Sequence, residues 1–440
     1  MTPEQAERYL LSLELFGMRF GLDRMRRLMT ALGHPEQRFQ SIHVVGTNGK
    51  SSTVRMIAAI LSRHDLRTGA YLSPHLVSFG ERIRIDEGDL DATAFAGAVQ
   101  RAARAAALVN RSLPGEDCVT QFEALTAAAY SELARRGVEV AVIEAGLGGR
   151  YDATNVIPSS VQVLTGVGLE HTRWLGPTIA DIAGEKLAVV RDAATLVLGA
   201  GMHPDAAAVA KEVAERQRTR IVWADADPGV RVGALGVFQR RNFALARAAA
   251  AAFVGGLDAR AVAFGGALDA RAVAFGGALD ARAVADAAAS IRVPGRLQIV
   301  ARDPLTLLDG AHNPAGMAAL VESLPELLAG HDRLVAVVSI LEDKDAAGML
   351  AALLPCCDAV VFCNSQNPRA LPPPTLQSLA RQLDDSATEQ LDCEIVSDPR
   401  AALERARGWA GADGVVLATG SIYLVADLAR PLGRARTSIL

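Results

Sequence analysis

The stretch Ile42-His43-Val44-Val45-Gly46-Thr47-Asn48-Gly49-Lys50-Ser51-Ser52 constrains the fold of this chain more than any other. A short apolar run, Ile42 to Val45, breaks at Gly46, and two glycines bracket a tight turn. Lys50 and two hydroxyls follow, and then Val54, Met56, Ile57, Ile60 and Leu61 recur at helical spacing. The pattern predicts a strand, a glycine loop and a helix. Backbone N–H groups in such a loop converge on an anion, and the helix N-terminus adds partial positive charge. Lys50 supplies a point charge for outer phosphates, and Ser51 or Ser52 a hydroxyl for Mg2+. The general pattern G-x-x-x-x-G-K-[ST] is incomplete, because Val44 stands where its first glycine would fall. The plain alternative is a strand followed by a turn. The context of loop, lysine and hydroxyl between strand and helix favours nucleotide binding.

Composition sharpens this reading. The chain has 45 Lys and Arg, yet only Lys50, Lys186, Lys211 and Lys344 are lysines. Arginine has displaced lysine almost everywhere, as a GC-rich coding bias would do. A surface charge tolerates that exchange, whereas a site that needs a compact ammonium, or an amine able to lose its proton, does not. The surviving lysines are therefore enriched in functional candidates. At 440 residues the chain has room for two or three domains. A net charge of −4 gives no basic footprint for nucleic acid. No apolar run approaches the roughly 20 residues of a membrane span. The N-terminus lacks the basic start and apolar core of a signal peptide. Five cysteines without a C-x-x-C spacing read as structural thiols of a reducing cytoplasm rather than a zinc site.

Along the chain, residues 4–32 have helical periodicity, divided by a loop at Phe16-Gly17-Met18-Arg19-Phe20-Gly21. A strand at Thr68 to Leu72 runs into the polar loop Ser73-Pro74-His75-Leu76-Val77-Ser78, where α/β proteins place ligand contacts. A helix covers 92–109, and another opens at Thr120-Gln121-Phe122-Glu123 with a capping box. Capping is as good an explanation of Glu123 as a substrate role. The strand Glu139 to Glu144 ends on an acid and meets Gly146-Leu147-Gly148-Gly149. An acid there is the usual geometry of a Mg2+-holding carboxylate. The alternative is a loop acid in water, and the glycine density speaks against it, because the backbone must pack closely on something. His171 lies just past the strand Val161 to Thr165, and a structural histidine is as good a reading of it as a ligand. Thr178 opens a capped helix that carries Glu185 and Lys186. Strands near 194–198 and 220–223 follow, and Arg241-Asn242 starts a helix.

The block Leu257-Asp258-Ala259-Arg260-Ala261-Val262-Ala263 then recurs at 268–274 and 279–285, a period of eleven. Three short copies with Gly-Gly breaks cannot stack into a core of their own. They read as a tandem duplication that forms short helical turns or a surface excursion. After a linker at 291–296, strands near 305–309, 334–338, 358–363, 393–396 and 414–418 alternate with helices. The expected fold class is α/β: a large domain, 1–293, with a P-loop and a mainly parallel sheet, interrupted by the insertion 257–285, and a smaller Rossmann-like domain, 294–440.

Several loops together resemble one family. Gly46-Thr47-Asn48-Gly49-Lys50, Ser73-Pro74-His75-Leu76, Glu144 with Gly146-Leu147-Gly148-Gly149, Asp152-Ala153-Thr154-Asn155, Glu170-His171-Thr172, Glu185-Lys186, Pro294-Gly295-Arg296 and Asp309-Gly310-Ala311-His312-Asn313-Pro314 stand in the order of the folylpolyglutamate synthases, of the bifunctional dihydrofolate synthase type, in the muramyl-peptide ligase superfamily. The resemblance runs end to end. It implies that Gly46, Thr47, Asn48, Gly49, Lys50, Ser51 and Ser52 hold ATP, with Asn242, Arg296, Asp309 and His312 as further contacts. It implies that Ser73, Glu144 and His171 bind two Mg2+ ions, and that Lys186 is N-carboxylated; K+ is a further ion it admits. Lys50, Lys186 and His171 become the catalytic candidates. The resemblance further implies that Thr120, Gln121, Phe122, Glu123, Tyr151, Asp152 and Ala153 approach the pterin substrate. Asp152-Ala153 is the form similar to bifunctional members. The chain departs from the family in its eleven-residue repeats and in Ser51, where the family often has Gly.

The implied chemistry is an acyl phosphate, formed from a carboxylate and ATP and opened by the amine of L-glutamate. Such an intermediate hydrolyses in water, so the resemblance implies a cleft that closes. The expected partners are folate or dihydropteroate and L-glutamate, with no nucleic acid and no membrane, in a cytoplasmic monomer. One rival is a muramyl-peptide type of amino-acid ligase, which usually carries a separate domain before the loop; only 45 residues precede Gly46 here. The other is a P-loop binding module without ligase activity.

Overall fold

The computed structural model describes residues 1–13, 21–256, 277–383 and 391–431. The loop residues 14–20 and most of the repeat region, 257–276, thus lie outside the described residues. Contacts divide the chain into two compact units, Met1–Gly233 with Arg240–Ile291, and Ala234–Gln239 with the described part of Arg292–Ile439.

The first unit is built on an eight-stranded sheet. Its strands are β1 (Gln40–Val45), β2 (Thr68–Tyr71), β3 (Ile83–Ile85), β4 (Gly88–Asp89), β5 (Val140–Glu144), β6 (Val161–Leu164), β7 (Thr195–Leu198) and β8 (Arg220–Trp223), in the order β4-β3-β2-β5-β1-β6-β7-β8. β1 is central, parallel to β5 on one side and β6 on the other. The strands from β2 to β8 in that order are all parallel, whereas β3 and β4 form an antiparallel edge on β2. Sequence periodicity gives no sign of these two, which are three and two residues long.

Both faces of the sheet are covered, which is why the central strands read as continuous apolar runs. One face packs on the helices Ala92–Asn110 and Gln121–Arg135 through Ala141, Ile143, Tyr71 and Tyr130. On the helix Ile179–Leu187, Ala183 and Leu187 join a second cluster with Val45, Leu164 and Leu198. Both expected capping boxes form, at Thr120 with Glu123 and at Thr178 with Asp181. The helix expected from Arg241 begins earlier and spans Val237–Val254. Its start belongs to the second unit, where Val237 N–H donates to Ser323 Oγ at 3.0 Å.

The second unit holds a six-stranded sheet in the order β13-β12-β11-β14-β10-β9. These strands are β9 (Gln298–Arg302), β10 (Leu305–Leu308), β11 (Leu334–Val338), β12 (Ala359–Phe362), β13 (Asp392–Ile395) and β14 (Val415–Thr419). All pairs are parallel except β9 with β10. β9 leaves no period in the sequence, because at a sheet edge its residues are half-buried or exposed without alternation. Among the described residues no helix is long and apolar enough to cross a membrane.

Candidate active site

The phosphate-type loop sits at the carboxyl end of β1, where open parallel sheets place their ligands. Gly49 has φ +82°, and a Cβ there would lie 2.6 Å from Asn242 Oδ1. Glycine is required at that point, and the close approach places Asn242 against the loop. Lys50 opens the helix Lys50–Ser62, and its ammonium donates to the carbonyls of Gly46 at 3.1 Å and Thr47 at 3.2 Å. Thr165 Oγ1 donates to the Asn48 carbonyl at 2.6 Å. Thr47 Oγ1 and the Gly168 backbone exchange hydrogen bonds at 3.1 and 3.3 Å. The segment after β6 is thereby tied to the loop.

Lys186 reaches the same point from the helix Ile179–Leu187. Its ammonium donates to the Gly46 carbonyl at 2.8 Å, beside Lys50. Burial pulls the Lys186 amine down to about 7, and the neighbouring Lys50 charge adds to the effect. The backbone of this helix presses on the glycine-rich loop: a Cβ on Gly149 would lie 2.5 Å from the Lys186 carbonyl oxygen.

Glu144 ends β5 and is buried. Its carboxylate accepts from Ser51 Oγ at 2.9 Å and from the Ser73 N–H at 3.1 Å. Of the two hydroxyls after Lys50, Ser51 therefore faces the acid, while Ser52 is buried in its helix. The buried Glu144 carboxylate and the Ser51 hydroxyl beside it are hard oxygen donors, the kind Mg2+ takes. His171 caps the short helix Thr172–Leu175 in a left-handed conformation, φ +53°, with Glu170 3.8 Å away. Among the described residues no three His, Cys, Asp or Glu side chains converge as a metal site. The five cysteines are free thiols.

The residues expected near a pterin fall on two adjoining segments. Gln121 Nε2 donates to the Leu10 carbonyl at 2.8 Å. Phe122 tilts against Tyr71, ring centroids 6.2 Å apart. The Glu123 carboxylate accepts from Thr120 N–H and Oγ at 2.9 and 3.0 Å and from Arg24 Nε at 3.0 and 3.1 Å. Arg24 also reaches Asp117, at 3.2 Å. Nothing in the sequence marked Arg24 as Glu123's partner, because they lie 99 positions apart. Tyr151 is exposed, whereas Asp152 and Ala153 are buried. Asp152 accepts from the N–H groups of Leu147 at 2.8 Å and Thr154 at 3.0 Å, and from the Thr154 hydroxyl. Behind it stands His43, whose Nε2 lies 2.8 Å from Thr154 Oγ1. In sequence, His43 reads only as one member of the apolar run Ile42 to Val45. A histidine inside an otherwise apolar central strand was the available signal.

In the second unit, Arg296, Asp309 and His312 come together at the carboxyl end of β10. Asp309 accepts from the N–H groups of Leu297 at 2.9 Å and Ala311 at 2.8 Å. Burial pushes its carboxyl up, and Arg296 opposes that. Arg296 Nη1 packs on Gly310, whose carbonyl lies 2.9 Å from His312 Nδ1.

Residues 295–422 match the family model described as Mur ligase, glutamate ligase domain. The chain is 30% identical to the dihydrofolate synthase/folylpolyglutamate synthase of Bacillus subtilis, over 95% of this chain and 96% of that one. It is 35% identical to a probable bifunctional folylpolyglutamate synthase/dihydropteroate synthase of Haloferax volcanii; that match covers 97% of this chain but only 50% of the relative, so the chain spans half the length of that protein. The fold is similar to the solved structure of Mycobacterium tuberculosis folylpolyglutamate synthase complexed with ADP and AMPPCP, with a TM-score of 0.83, 30% identity, and 97% and 98% of the two chains covered.

Proposed function

The chain belongs to the dihydrofolate synthase/folylpolyglutamate synthase family of ATP-dependent ligases, and on that premise we propose that it joins L-glutamate to tetrahydrofolates and to 7,8-dihydropteroate through an acyl phosphate. The observation that carries the reading is the convergence on Gly46. Lys50 and Lys186 share its carbonyl, and the Ser51–Glu144–Ser73 set stands beside the same loop. A module that only bound nucleotide would have no use for a second, neutralisable lysine at that point.

Lys50 and the loop N–H groups orient the ATP phosphates. A carboxylate oxygen of the acceptor attacks the γ-phosphorus, the bond to the β-phosphate oxygen breaks, and ADP leaves. The amine of L-glutamate then attacks the acyl carbon, the C–O bond to phosphate breaks, and the amine loses its proton as the amide forms. Such transfer depends on positioning and charge more than on covalent help from the protein. Glu144, Ser73 and His171 would hold Mg2+, which when bound neutralises charge on the transferred phosphoryl group. Lys186, with its amine drawn down to about 7, is chemically able to take up CO2 as a carbamate. Asp152 accepts N–H groups of the pterin, and Asn242, Arg296, Asp309 and His312 contact ATP.

The test is phosphate release from ATP with L-glutamate, with either 7,8-dihydropteroate or tetrahydrofolate as acceptor, and product masses measured. Turnover of both, each gaining one glutamate, is the expected result. Turnover of tetrahydrofolate alone would leave a tail extender and discard Asp152-Ala153 as a mark of bifunctionality. Turnover of neither would overturn the folate reading.

A further inference from the structure

We propose that His43 and Thr154 are positioning residues, which hold the Asp152 carboxylate for the pterin ring of the acceptor through one buried chain of hydrogen bonds. The proposal rests on the folate reading for its ligand and on geometry for its chain. His43 sits in the central strand β1, in register with Ile143 of β5 and Gln162 of β6, and is fully buried. Packing alone would be served there by valine or isoleucine, as at its neighbours. Burial, with a smaller contribution from Arg191, draws the imidazole down to about 3, so it is neutral at working pH and carries one N–H.

The position of that proton follows from the surroundings. Nε2 lies 2.8 Å from Thr154 Oγ1, while Nδ1 is buried without a hydrogen-bond partner. An orphaned buried N–H is rarer than an orphaned acceptor. The proton therefore belongs on Nε2, which donates to the threonine oxygen. With that lone pair occupied, the hydroxyl proton of Thr154 turns to Asp152 Oδ1. Oδ1 also takes the Thr154 N–H and Oδ2 the Leu147 N–H, so the carboxylate plane is fixed from two sides.

The support itself is anchored. Tyr130 Oη donates to the Thr154 carbonyl at 3.0 Å, and Arg191 Nη2 donates to the Asn155 carbonyl at 2.9 Å and its Oδ1 at 2.6 Å. A pterin presents neighbouring N–H donors along one edge, and a carboxylate held in a fixed plane accepts them with a direction. A carboxylate free to rotate would lose that selectivity.

The experiment compares Thr154→Val, Thr154→Ser, His43→Leu and His43→Gln with the wild type. It reads KM for the pterin acceptor that the wild type turns over, KM for ATP, the melting temperature, and the titration of the Asp152 carboxyl by 13C NMR. Thr154→Val removes a hydrogen bond to a charged group, so KM for the acceptor should rise about tenfold while KM for ATP stays unchanged. Thr154→Ser should restore the wild-type value. His43→Leu should act in the same sense as Thr154→Val and more weakly, and His43→Gln, which keeps a donor near Nε2, should recover. The Asp152 carboxyl should titrate higher in Thr154→Val and His43→Leu, because each loses support for the anion. Wild-type acceptor KM in both, or a rise in both KM values in step with a fall in melting temperature, would overturn the positioning role. If the wild type turned over neither acceptor, the folate reading would fail by itself. The Asp152 titration would then decide the chain, and an unmoved carboxyl would overturn it.

Discussion

At the scale of single residues, two of the four lysines stand at one carbonyl oxygen, that of Gly46. An ammonium and a guanidinium are not interchangeable at such a point. Lys186 is buried beside Lys50, and its amine is drawn from the ordinary lysine value to about 7. Between pH 7 and 10.5 the unfolded chain binds a proton there that the folded chain does not, so this group's penalty on stability is full below pH 7 and is relieved as pH rises through that window. The same depression supplies neutral amine for CO2. In the carbamate proposed above, the nitrogen would bond to the carbon of CO2, release a proton and leave a carbamate anion. Lys186→Arg keeps a cation but has no such amine, so turnover should vanish while the circular dichroism spectrum stays native. After CO2-free dialysis, bicarbonate should restore wild-type activity faster at pH 8 than at pH 6, with a carbamate signal from 13C-bicarbonate. Near-normal activity in Lys186→Arg would remove the carbamate from the mechanism. His43 shows the opposite limit of sequence reading. Its importance lies in Thr154, 111 positions away, and no local pattern records that distance.

At the scale of elements, legibility followed burial and capping. β1, β5 and β6 are covered on both faces and so read as apolar runs, and the helices at Thr120 and Thr178 announced themselves through capping boxes. β4 and β9 are edge strands and β3 lies next to one, and all three are too short or too exposed to carry a period. Of the three repeat copies, the third lies among the described residues. In the third copy, Asp280 caps the helix Ala281–Ser290 by accepting the Ala283 N–H at 2.7 Å, and its own N–H donates to His64 Nε2 at 2.9 Å. Val284, Ala287 and Ala288 on that helix are buried. The chain leaves and re-enters the described structure at neighbouring points, since a Cβ on Gly255 would lie 3.5 Å from the Gly277 carbonyl oxygen. Deleting 22 residues, 257–278, joins Gly256 to Leu279 and leaves the third copy whole. That variant should keep kcat/KM within about twofold, because loop length costs little (about 0.6 kcal/mol per doubling). Extending the cut through Ala285 removes the cap, worth about 1 kcal/mol, and the buried Val284, worth about 2 kcal/mol. The melting temperature of this longer deletion should fall. A folded but inactive 22-residue deletion would show instead that the duplicated copies serve the site.

At the scale of the whole molecule, each unit carries its own sheet and its own buried cluster, the one around Ile143 and Tyr130 and the other around Val338, Phe362 and Leu417. Units with separate cores need not unfold together. Calorimetry should resolve two transitions, and nucleotide should raise that of the first unit. The Gly46–Ser52 loop belongs to the first unit, so a ligand that binds only its folded form stabilises that unit by mass action. At ADP a thousand times its Kd the gain is about 4 kcal/mol. For a unit of this size that is a rise of roughly 10 °C in its transition. Lys50→Ala removes the point charge on the phosphates while the Gly49 turn and its contact with Asn242 remain. The variant should therefore melt like the wild type without nucleotide and lose most of the shift with it. An undiminished shift in Lys50→Ala would place the nucleotide elsewhere than this loop. The acyl-phosphate chemistry derived from the convergence on Gly46 would then lose its foundation, whatever the assay of folate turnover returned.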